Sequence, residues 1–591
     1  MIVKEEVINL NMAHRVWFQD NLRKLNISQE TFLILLAVII GFFVGSLAVV
    51  FKLATNWLAS LAFGHGESLL DFIPQYYMIL IPIIGGIVVG LIVQYGGHNA
   101  SGHGIPEAIQ AVALKGGRMK VRTIFAEGLA SLFTIGFGGS AGRVGPVVEI
   151  GGGIGSLVGQ FFDMRNEVVQ LLLGCGAAAG IAAIFNTPIA GVIFALEIVL
   201  GNFTSGHFSI LVISSVSADF VARTVYGDKP ALTILYPFQF NYSEILLYLG
   251  LGILGALMGL TFIYTLYRVE DLFKNMPITP TWLKPALGGG IVGLIGFYLP
   301  QIFGTGFGEI EQILRGQYGV AILIGILILK LLATSITLGS GLSGGVFAPT
   351  LLIGASLGGL YGHLVNNFLP LSVEGTPGTY ALIGMCTVFA SVYHAPITAV
   401  MMILEMTRSY QIVIPLVVAS VIANLLSRAI IEDNIYTLKL RRRGVIIQEG
   451  FDIARLMDIQ IELAMSKQVA VVVDKEPLKS VVKMMEISHH NGYPVVDDEG
   501  HIVGIITAHD LRKVDYPRLN DTEVRNVMTK DLKLAYPDQT LDKALFQLVE
   551  NKIDRIPIVS RENPKQLVGI ITRKDIVNYY QQSLLTKGNR I

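Results

Sequence analysis

The sequence predicts an all-α polytopic membrane protein made of two repeated halves and followed by a smaller α/β module. Low charge, long uncharged segments and internal duplication support this prediction. Of the 591 residues, 52% are apolar and only 15% are charged, whereas roughly 25% is usual in soluble proteins. The net charge is zero, so no overall field favours nucleic acid as a partner. The two cysteines, Cys175 and Cys386, form no CxxC pattern, and no metal site is expected.

Charge density changes sharply near residue 443. The last 148 residues contain 41 charged side chains. This is about 28%, against about 11% in the preceding part of the chain. The first part is therefore predicted to be embedded in a membrane and the second to be soluble. The predicted domains are a cytoplasmic N-terminal segment (1–30), a transmembrane domain (31–440), a linker (441–458) and two copies of a soluble repeat (459–517 and 518–591).

Three uncharged segments, 31–51, 168–196 and 331–361, are long enough for membrane helices, which need roughly 20 apolar residues. Many other apolar segments are interrupted by Gly or Pro, so some helices are not expected to span fully. Irregular backbone at membrane depth persists only where protein or a wet cavity covers it. Basic residues flank both ends of this region, and the positive-inside bias therefore places both termini in the cytoplasm.

Two motifs occur twice in the membrane region, in the same order. Residues 142–151 resemble 345–354, and residues 186–197 resemble 394–405, with offsets of 203 and 208 residues. Corresponding segments interrupted by Gly and Pro in two halves of a membrane protein point to a transport site between the repeats.

Three segments, 102–107, 142–146 and 344–349, place glycine shortly before proline. Proline suits the first turn of a helix, because its missing N–H would be unpaired there anyway. Glycine lets the preceding backbone approach a ligand. A helix start exposes unpaired N–H groups and a partial positive charge. Three such starts meeting at mid-membrane are predicted to hold an anion weakly enough for it to leave again.

The soluble region is also duplicated. Residues 492–496 and 504–510 match 555–559 and 569–575, with offsets of 63 and 65 residues. Each copy reads as strand, helix, strand, strand, helix, which predicts an α/β tandem module.

These motifs resemble those of the CLC family of chloride channels and proton-coupled anion exchangers over residues 30–440, and the tail resembles a paired CBS module. The resemblance implies an all-α CLC-like fold with two inverted-repeat halves and a cytoplasmic α/β tandem CBS domain. It also implies a homodimer in the lipid bilayer of the cell membrane, with one anion pathway per subunit. Chloride is then the transported ion, and no cofactor is required.

The resemblance places the family's anion site at three helix starts and one tyrosine of this chain. The resemblance assigns anion contacts to His103, Gly104, Ile105, Val144, Gly145, Val346, Phe347 and Tyr436. The hydroxyl of Tyr436 would touch the central anion, and a desolvated phenol needs a partner. A tyrosine of the interfacial aromatic belt is the other interpretation of this residue.

Both proton-carrying carboxylates of the family's exchangers are missing. The gating-glutamate position is Val144 and the internal proton-glutamate position is Ile198, and neither side chain binds a proton. His103 replaces the usual serine, and it is interpreted as a neutral donor or as a pH-sensing residue. Glu127 replaces a lysine that is common fifteen residues before the second motif.

Glu149 lies five residues after Val144 and is a candidate substitute proton carrier. Capping or ion pairing inside the protein is the alternative role. The other carboxylates in or beside apolar segments are functional candidates as well, with capping or ion pairing as the alternative; they are Glu107, Glu127, Glu197 and Glu405.

The resemblance to a paired CBS module also implies an adenine-nucleotide site. The aspartate in each Gly-φ-φ-Thr-x-x-Asp end would accept hydrogen bonds from ribose hydroxyls. The candidate residues are His490, Thr507, Asp510, Thr572 and Asp575. ATP, ADP or AMP is the expected ligand, and a module that only dimerises is the alternative. The chain has no GxxxxGK[ST] loop, so ATP hydrolysis is not expected.

The sequence thus predicts passive conduction of chloride or similar anions under control of the CBS module. The first alternative is a proton-coupled chloride exchanger that uses Glu149 or His103. The second is an adenine-nucleotide sensor that the membrane part anchors. An enzyme is not expected, because no nucleophile–base pair or metal cluster is evident.

Overall fold

The computed structural model divides into two units, Met1–Ile447 and Gln448–Ile591. It describes residues 28–64, 76–96, 104–201, 203, 205–233, 244–368, 377–443, 459–488, 491–511, 519–551 and 553–579. Most of the predicted N-terminal segment and of the predicted linker lies outside the described residues.

The first unit is helical, as predicted, throughout its regular described segments. Its α-helices are α1 (Gln29–Phe63), α2 (Tyr77–Gly96), α3 (Ile105–Leu114), α4 (Val121–Gly136), α5 (Val144–Phe161), α6 (Asn166–Phe185), α7 (Pro188–Phe194), α8 (Ser205–Tyr226), α9 (Ile245–Asn275), α10 (Leu283–Tyr298), α11 (Phe307–Leu314), α12 (Val320–Gly339), α13 (Phe347–Phe368), α14 (Pro377–Tyr393), α15 (Pro396–Thr407), α16 (Val413–Ile430) and α17 (Ile435–Arg442). Among the described residues, eight helical segments are long and apolar enough to cross a membrane.

Several helices are too short to span. Helices α3, α7, α11 and α17 contain 10, 7, 8 and 8 residues, whereas a spanning helix needs roughly 20. Helix α7 continues directly into a π-helix, Ala195–Leu200. A short helix that ends inside the membrane must find partners for its backbone groups within the protein.

The two halves use glycine at corresponding places to bring helices together. A Cβ at Gly176 of α6 would lie 1.8 Å from the carbonyl oxygen of Gly151 on α5. In the second half, a Cβ at Gly384 of α14 would lie 2.3 Å from the carbonyl oxygen of Gly354 on α13. Backbone contact of this kind is typical of membrane helices that pack through small residues.

The second unit combines helices and strands, which confirms the predicted α/β class. Its elements are α18 (Ile461–Ala464), β1 (Val472–Val473), α19 (Leu478–Ser488), β2 (Gly492–Val496), β3 (Ile502–Thr507), α20 (Ala508–Leu511), α21 (Leu541–Glu550), β4 (Arg555–Val559) and β5 (Leu567–Thr572). Strand β2 pairs with β1 in parallel and with β3 antiparallel, and β4 pairs antiparallel with β5. The two copies keep one register, because Pro494 faces Ile505 as Pro557 faces Ile570.

Candidate anion-binding site

The starts of α5 and α13 are tied together by their backbones. The N–H of Gly142 donates to the carbonyl of Gly345 at 2.6 Å, and the N–H of Gly345 donates back to Gly142 at 2.8 Å. Helix α5 begins at Val144 and α13 at Phe347, each two residues after its glycine. Corresponding segments of the two halves therefore place their first turns side by side.

The start of α3 packs against the first turn of α5. Gly104 precedes α3 with a φ of +77°, in the left-handed region that favours glycine. A Cβ at this position would lie 2.4 Å from the carbonyl oxygen of Gly145. Three helix starts thus meet, and their unpaired N–H groups and partial positive ends suit an anion.

The side chains at these helix starts are apolar and buried. Val144 is 1% exposed, and Ile105, Val346 and Phe347 are fully buried. Valine occupies the position for which the family resemblance gives the gating glutamate. Ile198, at the internal proton-glutamate position, is buried within the π-helix that follows α7. Neither of these two positions offers a group that binds a proton.

Tyr436 lies in the first turn of α17 and has no exposed surface. Its hydroxyl forms no hydrogen bond with a described residue. The Tyr436 ring lies 5.2 Å from that of Tyr393, which in turn lies 5.9 Å from the ring of Phe347. A buried hydroxyl without a partner costs about 1–3 kcal/mol, so a bound acceptor here would be stabilising.

Asn434 positions Tyr436, and the sequence analysis did not single it out. Its side-chain oxygen accepts from the N–H groups of Tyr436 and Thr437, both at 2.9 Å. Asparagine is a preferred N-cap residue because it satisfies N–H groups that the helix leaves free. The Asn-Ile-Tyr sequence contained that signal.

Glu197 and Glu405 cap helices of the opposite half. Glu197 accepts from the N–H of Thr398 at 2.8 Å and from its hydroxyl at 2.6 Å, at the start of α15. Glu405 accepts from the N–H groups of Ile189 and Ala190 at 3.0 and 2.6 Å, at the start of α7. Of the two roles considered for these carboxylates, the contacts show capping.

The remaining intramembrane carboxylates differ in their partners. Glu107 forms an ion pair with Arg443, with 2.7 Å between the side-chain atoms. Glu127 and Glu149 are 1% and 0% exposed, and none of their four carboxylate oxygens has a hydrogen-bond donor among the described residues. Among the described residues, therefore, neither Glu127 nor Glu149 caps a helix or forms a hydrogen-bonded ion pair.

The second unit contains a cleft of about 550 Å³ that both copies of the repeat line. The first copy contributes Thr507 and Asp510 to its lining, and the second contributes Lys533 and Arg555. Burial lowers the pKa of the Arg555 guanidinium, against the effect of a neighbouring aspartate, but arginine keeps its charge in proteins. Three aspartates and two cations line the cleft, so it offers acceptors for ribose hydroxyls and cations for phosphates.

Each candidate aspartate also accepts two hydrogen bonds from the threonine three residues before it. Asp510 accepts from the N–H and hydroxyl of Thr507 at 3.1 and 2.7 Å. Asp575 accepts from the N–H and hydroxyl of Thr572 at 2.9 and 2.7 Å. The cleft contains the first pair but not the second. The other candidates, His103 and His490, lie outside the described residues.

Comparisons with known proteins agree with this architecture. The sequence profile of the family described as "Voltage gated chloride channel" matches residues 85–428, and that of the CBS domain matches 458–516 and 524–582. A putative chloride channel protein ClcB-like from Ralstonia nicotianae is 35% identical over 375 residues, which cover 63% of this chain and 87% of that protein. The H(+)/Cl(−) exchange transporter ClcA of Vibrio campbellii is 30% identical over 421 residues, covering 69% and 88%. The crystal structure of a eukaryotic CLC transporter shares the fold, with a TM-score of 0.72, 21% identity and coverage of 93% and 99%.

Proposed function

The chain belongs to the voltage-gated chloride channel (CLC) family of anion-transporting membrane proteins, and on that premise we propose that it conducts chloride or similar anions passively, as a channel. Three helix starts and the Tyr436 hydroxyl supply the anion contacts. These groups offer partial charges only, so an anion binds without the slow release that an ion pair would impose. The proposed contacts are His103, Gly104, Ile105, Val144, Gly145, Val346, Phe347 and Tyr436.

The buried side chain of Val144 carries this proposal. It lies where the three helix starts meet and is 1% exposed. A carboxylate at this point would compete with the anion and would carry protons, whereas valine does neither. Ile198 likewise lacks a proton-binding group at the second relay position. The residues at the two positions that the family's exchangers use therefore cannot couple anion movement through this site to proton transfer.

A proton-coupled exchanger is the second candidate. The relative from Vibrio campbellii is described as an exchange transporter, and Glu149 is a buried carboxyl group without a hydrogen-bond donor among the described residues. Glu149 or His103 would have to replace the missing relay carboxylates. The exchanger makes a different electrical prediction from the channel.

Planar-bilayer recording of the purified full-length protein separates the two candidates. A fixed chloride gradient is imposed, and the pH difference across the bilayer is then varied. For a channel, the reversal potential stays at the chloride equilibrium potential at every pH difference. A reversal potential that moves with the pH difference contradicts passive conduction and supports the exchanger. Glu149→Gln is the matched variant, because it abolishes that movement if Glu149 is the carrier.

We propose further that the protein is a homodimer in the cell membrane, with cytoplasmic termini and an adenine-nucleotide-binding CBS module that regulates conduction. The proposed nucleotide contacts are His490, Thr507, Asp510, Thr572 and Asp575. The cleft that Asp510, Lys533 and Arg555 line together supports ATP, ADP or AMP as the ligand. If changes at Phe347 and Tyr436 leave anion flux in liposomes unaltered, the membrane part acts as an anchor for a nucleotide sensor instead.

A further inference from the structure

Glu127 of α4 and Glu149 of α5 face each other inside the first unit. The two helices are in tight contact at this level, because a Cβ at Gly128, next to Glu127, would lie 2.9 Å from the side chain of Ile150, next to Glu149. The two carboxyl groups lie close enough to interact directly. Both side chains are buried, with 1% and 0% exposed.

Two ionised carboxylates cannot satisfy each other. An ionised carboxylate only accepts hydrogen bonds, and no donor among the described residues reaches any of these four oxygens. Two like charges in a desolvated site also repel each other strongly. A single proton removes both problems, because a protonated carboxyl group donates a hydrogen bond to the ionised one.

The charged groups around the pair do not replace this proton. Glu107 of α3, Lys439 of α17 and Arg443 interact with the pair electrostatically. Arg443 is already paired with Glu107, and Lys439 also interacts with Glu270 of α9. One shared lysine therefore faces several carboxylates, and it cannot neutralise both members of the pair.

The pair lies close to the proposed anion site. Glu149 follows Val144 by five residues on α5, which corresponds to about 7.5 Å along the helix axis. Lys439 follows Tyr436 by three residues on α17, almost one helical turn. In the weakly screened interior, a change of charge on the pair is felt by an anion at this distance.

We propose that Glu127 and Glu149 form a proton-binding site that holds one shared proton, and that release of this proton to water suppresses anion conduction. The doubly ionised pair repels an anion at the helix starts, whereas the singly protonated pair carries one charge less. The effect on conduction rests on the proposed function. The shared proton is a property of the folded chain and is measured separately.

The test of conduction uses full-length protein in liposomes with equal pH on both sides. Wild-type chloride efflux is expected to fall on the order of tenfold as the pH rises past the value at which the shared proton dissociates. The double variant Glu127→Gln/Glu149→Gln removes this fall. Glu127→Lys also removes it, because the introduced ammonium pairs with Glu149 without a proton. Glu167→Gln, at an exposed residue of α6, retains the wild-type profile.

Infrared spectroscopy of the purified protein measures the proton itself. A protonated-carboxyl band that disappears with rising pH, and is missing from Glu127→Lys, supports the proposal. Absence of that band from the wild-type protein overturns it. An unchanged efflux profile in both the double variant and Glu127→Lys also overturns it. If the band is present but no chloride flux occurs at any pH, the shared proton stands and the proposed conduction fails.

Discussion

Tyr436 shows how the surrounding structure fixes the position of one buried side chain. The cap from Asn434 fixes its backbone, and the neighbouring ring of Tyr393 packs against it. Within the described ranges, its hydroxyl has no hydrogen-bond partner. A folded protein rarely buries such a group without compensation. In the proposed channel an anion accepts this hydrogen bond, and the packing around Tyr436 orders the rest of the residue beforehand.

Replacement of Tyr436 by phenylalanine should therefore weaken anion binding. The loss of one hydrogen bond to a charged acceptor corresponds to about 1.5–3 kcal/mol, or on the order of tenfold to a hundredfold in affinity. Chloride titration by isothermal calorimetry measures the change. Tyr410→Phe is the matched control, because Tyr410 is 71% exposed and lies outside the site. Equal affinity in the two variants would contradict a role for the Tyr436 hydroxyl.

Introduction of a carboxyl group at Val144 should create a titratable gate. In Val144→Glu the side chain is ionised above its pKa, competes with the anion and lowers chloride flux on the order of tenfold. Below that pKa it is neutral, so flux recovers as the pH falls. Liposome efflux across a pH series measures this dependence. Val144→Gln separates charge from size, because the amide does not ionise and its flux should show only the pH dependence of the wild-type protein.

At the scale of helices, local sequence encodes some features and tertiary contact creates others. Glycine and proline at 102–107 and 142–146 encode helix starts locally, and helices begin there in the structure. The exchange of hydrogen bonds between Gly142 and Gly345 joins residues 203 positions apart, which no local pattern specifies. Glu127 and Glu149 lie on different helices, so their meeting also depends on packing rather than on spacing.

The close contact of α5 and α6 makes a sharp prediction about glycine. In Gly176→Ala the added Cβ would meet the carbonyl oxygen of Gly151 at 1.8 Å, so the helices must separate. A loss of packing costs about 1–3 kcal/mol or more, and the midpoint of thermal unfolding in detergent should fall. Gly308→Ala is the control, because a Cβ there meets nothing within 4 Å. Equal midpoints for the two variants would argue against this helix contact.

At the scale of the whole molecule, two units with different chemistry share one chain. The contrast in charge was sufficient to predict a membrane part and a soluble part, and the repeated pattern of strands and helices predicted the α/β module. The resemblance assigned ribose binding to two aspartates, Asp510 and Asp575, but the cleft contains only the first. Sequence symmetry cannot reveal this difference, because the cleft depends on which side chains the other copy contributes.

Lys533 should contribute to nucleotide affinity through its charge. It lines the cleft with Asp510 and Arg555, and a lysine contact to a phosphate is worth on the order of tenfold in affinity. Lys533→Ala should therefore weaken ATP binding by the full-length protein and reduce its dependence on salt. Fluorescence titration with an ATP analogue measures both effects. Lys565→Ala removes an exposed lysine away from the cleft, and a similar loss in this variant would mean that the Lys533 effect is unspecific.

The crossed caps of Glu197 and Glu405 affect how the chain is made. The partner of Glu197 at the start of α15 follows it by 201 residues, so the ribosome completes the first half long before that partner exists. Until then α7 also lacks the carboxylate that caps it. Neither half is a finished folding unit, and biogenesis must tolerate a half-built intermediate in the bilayer. Two separately expressed fragments would regain their crossed caps only by assembling with each other.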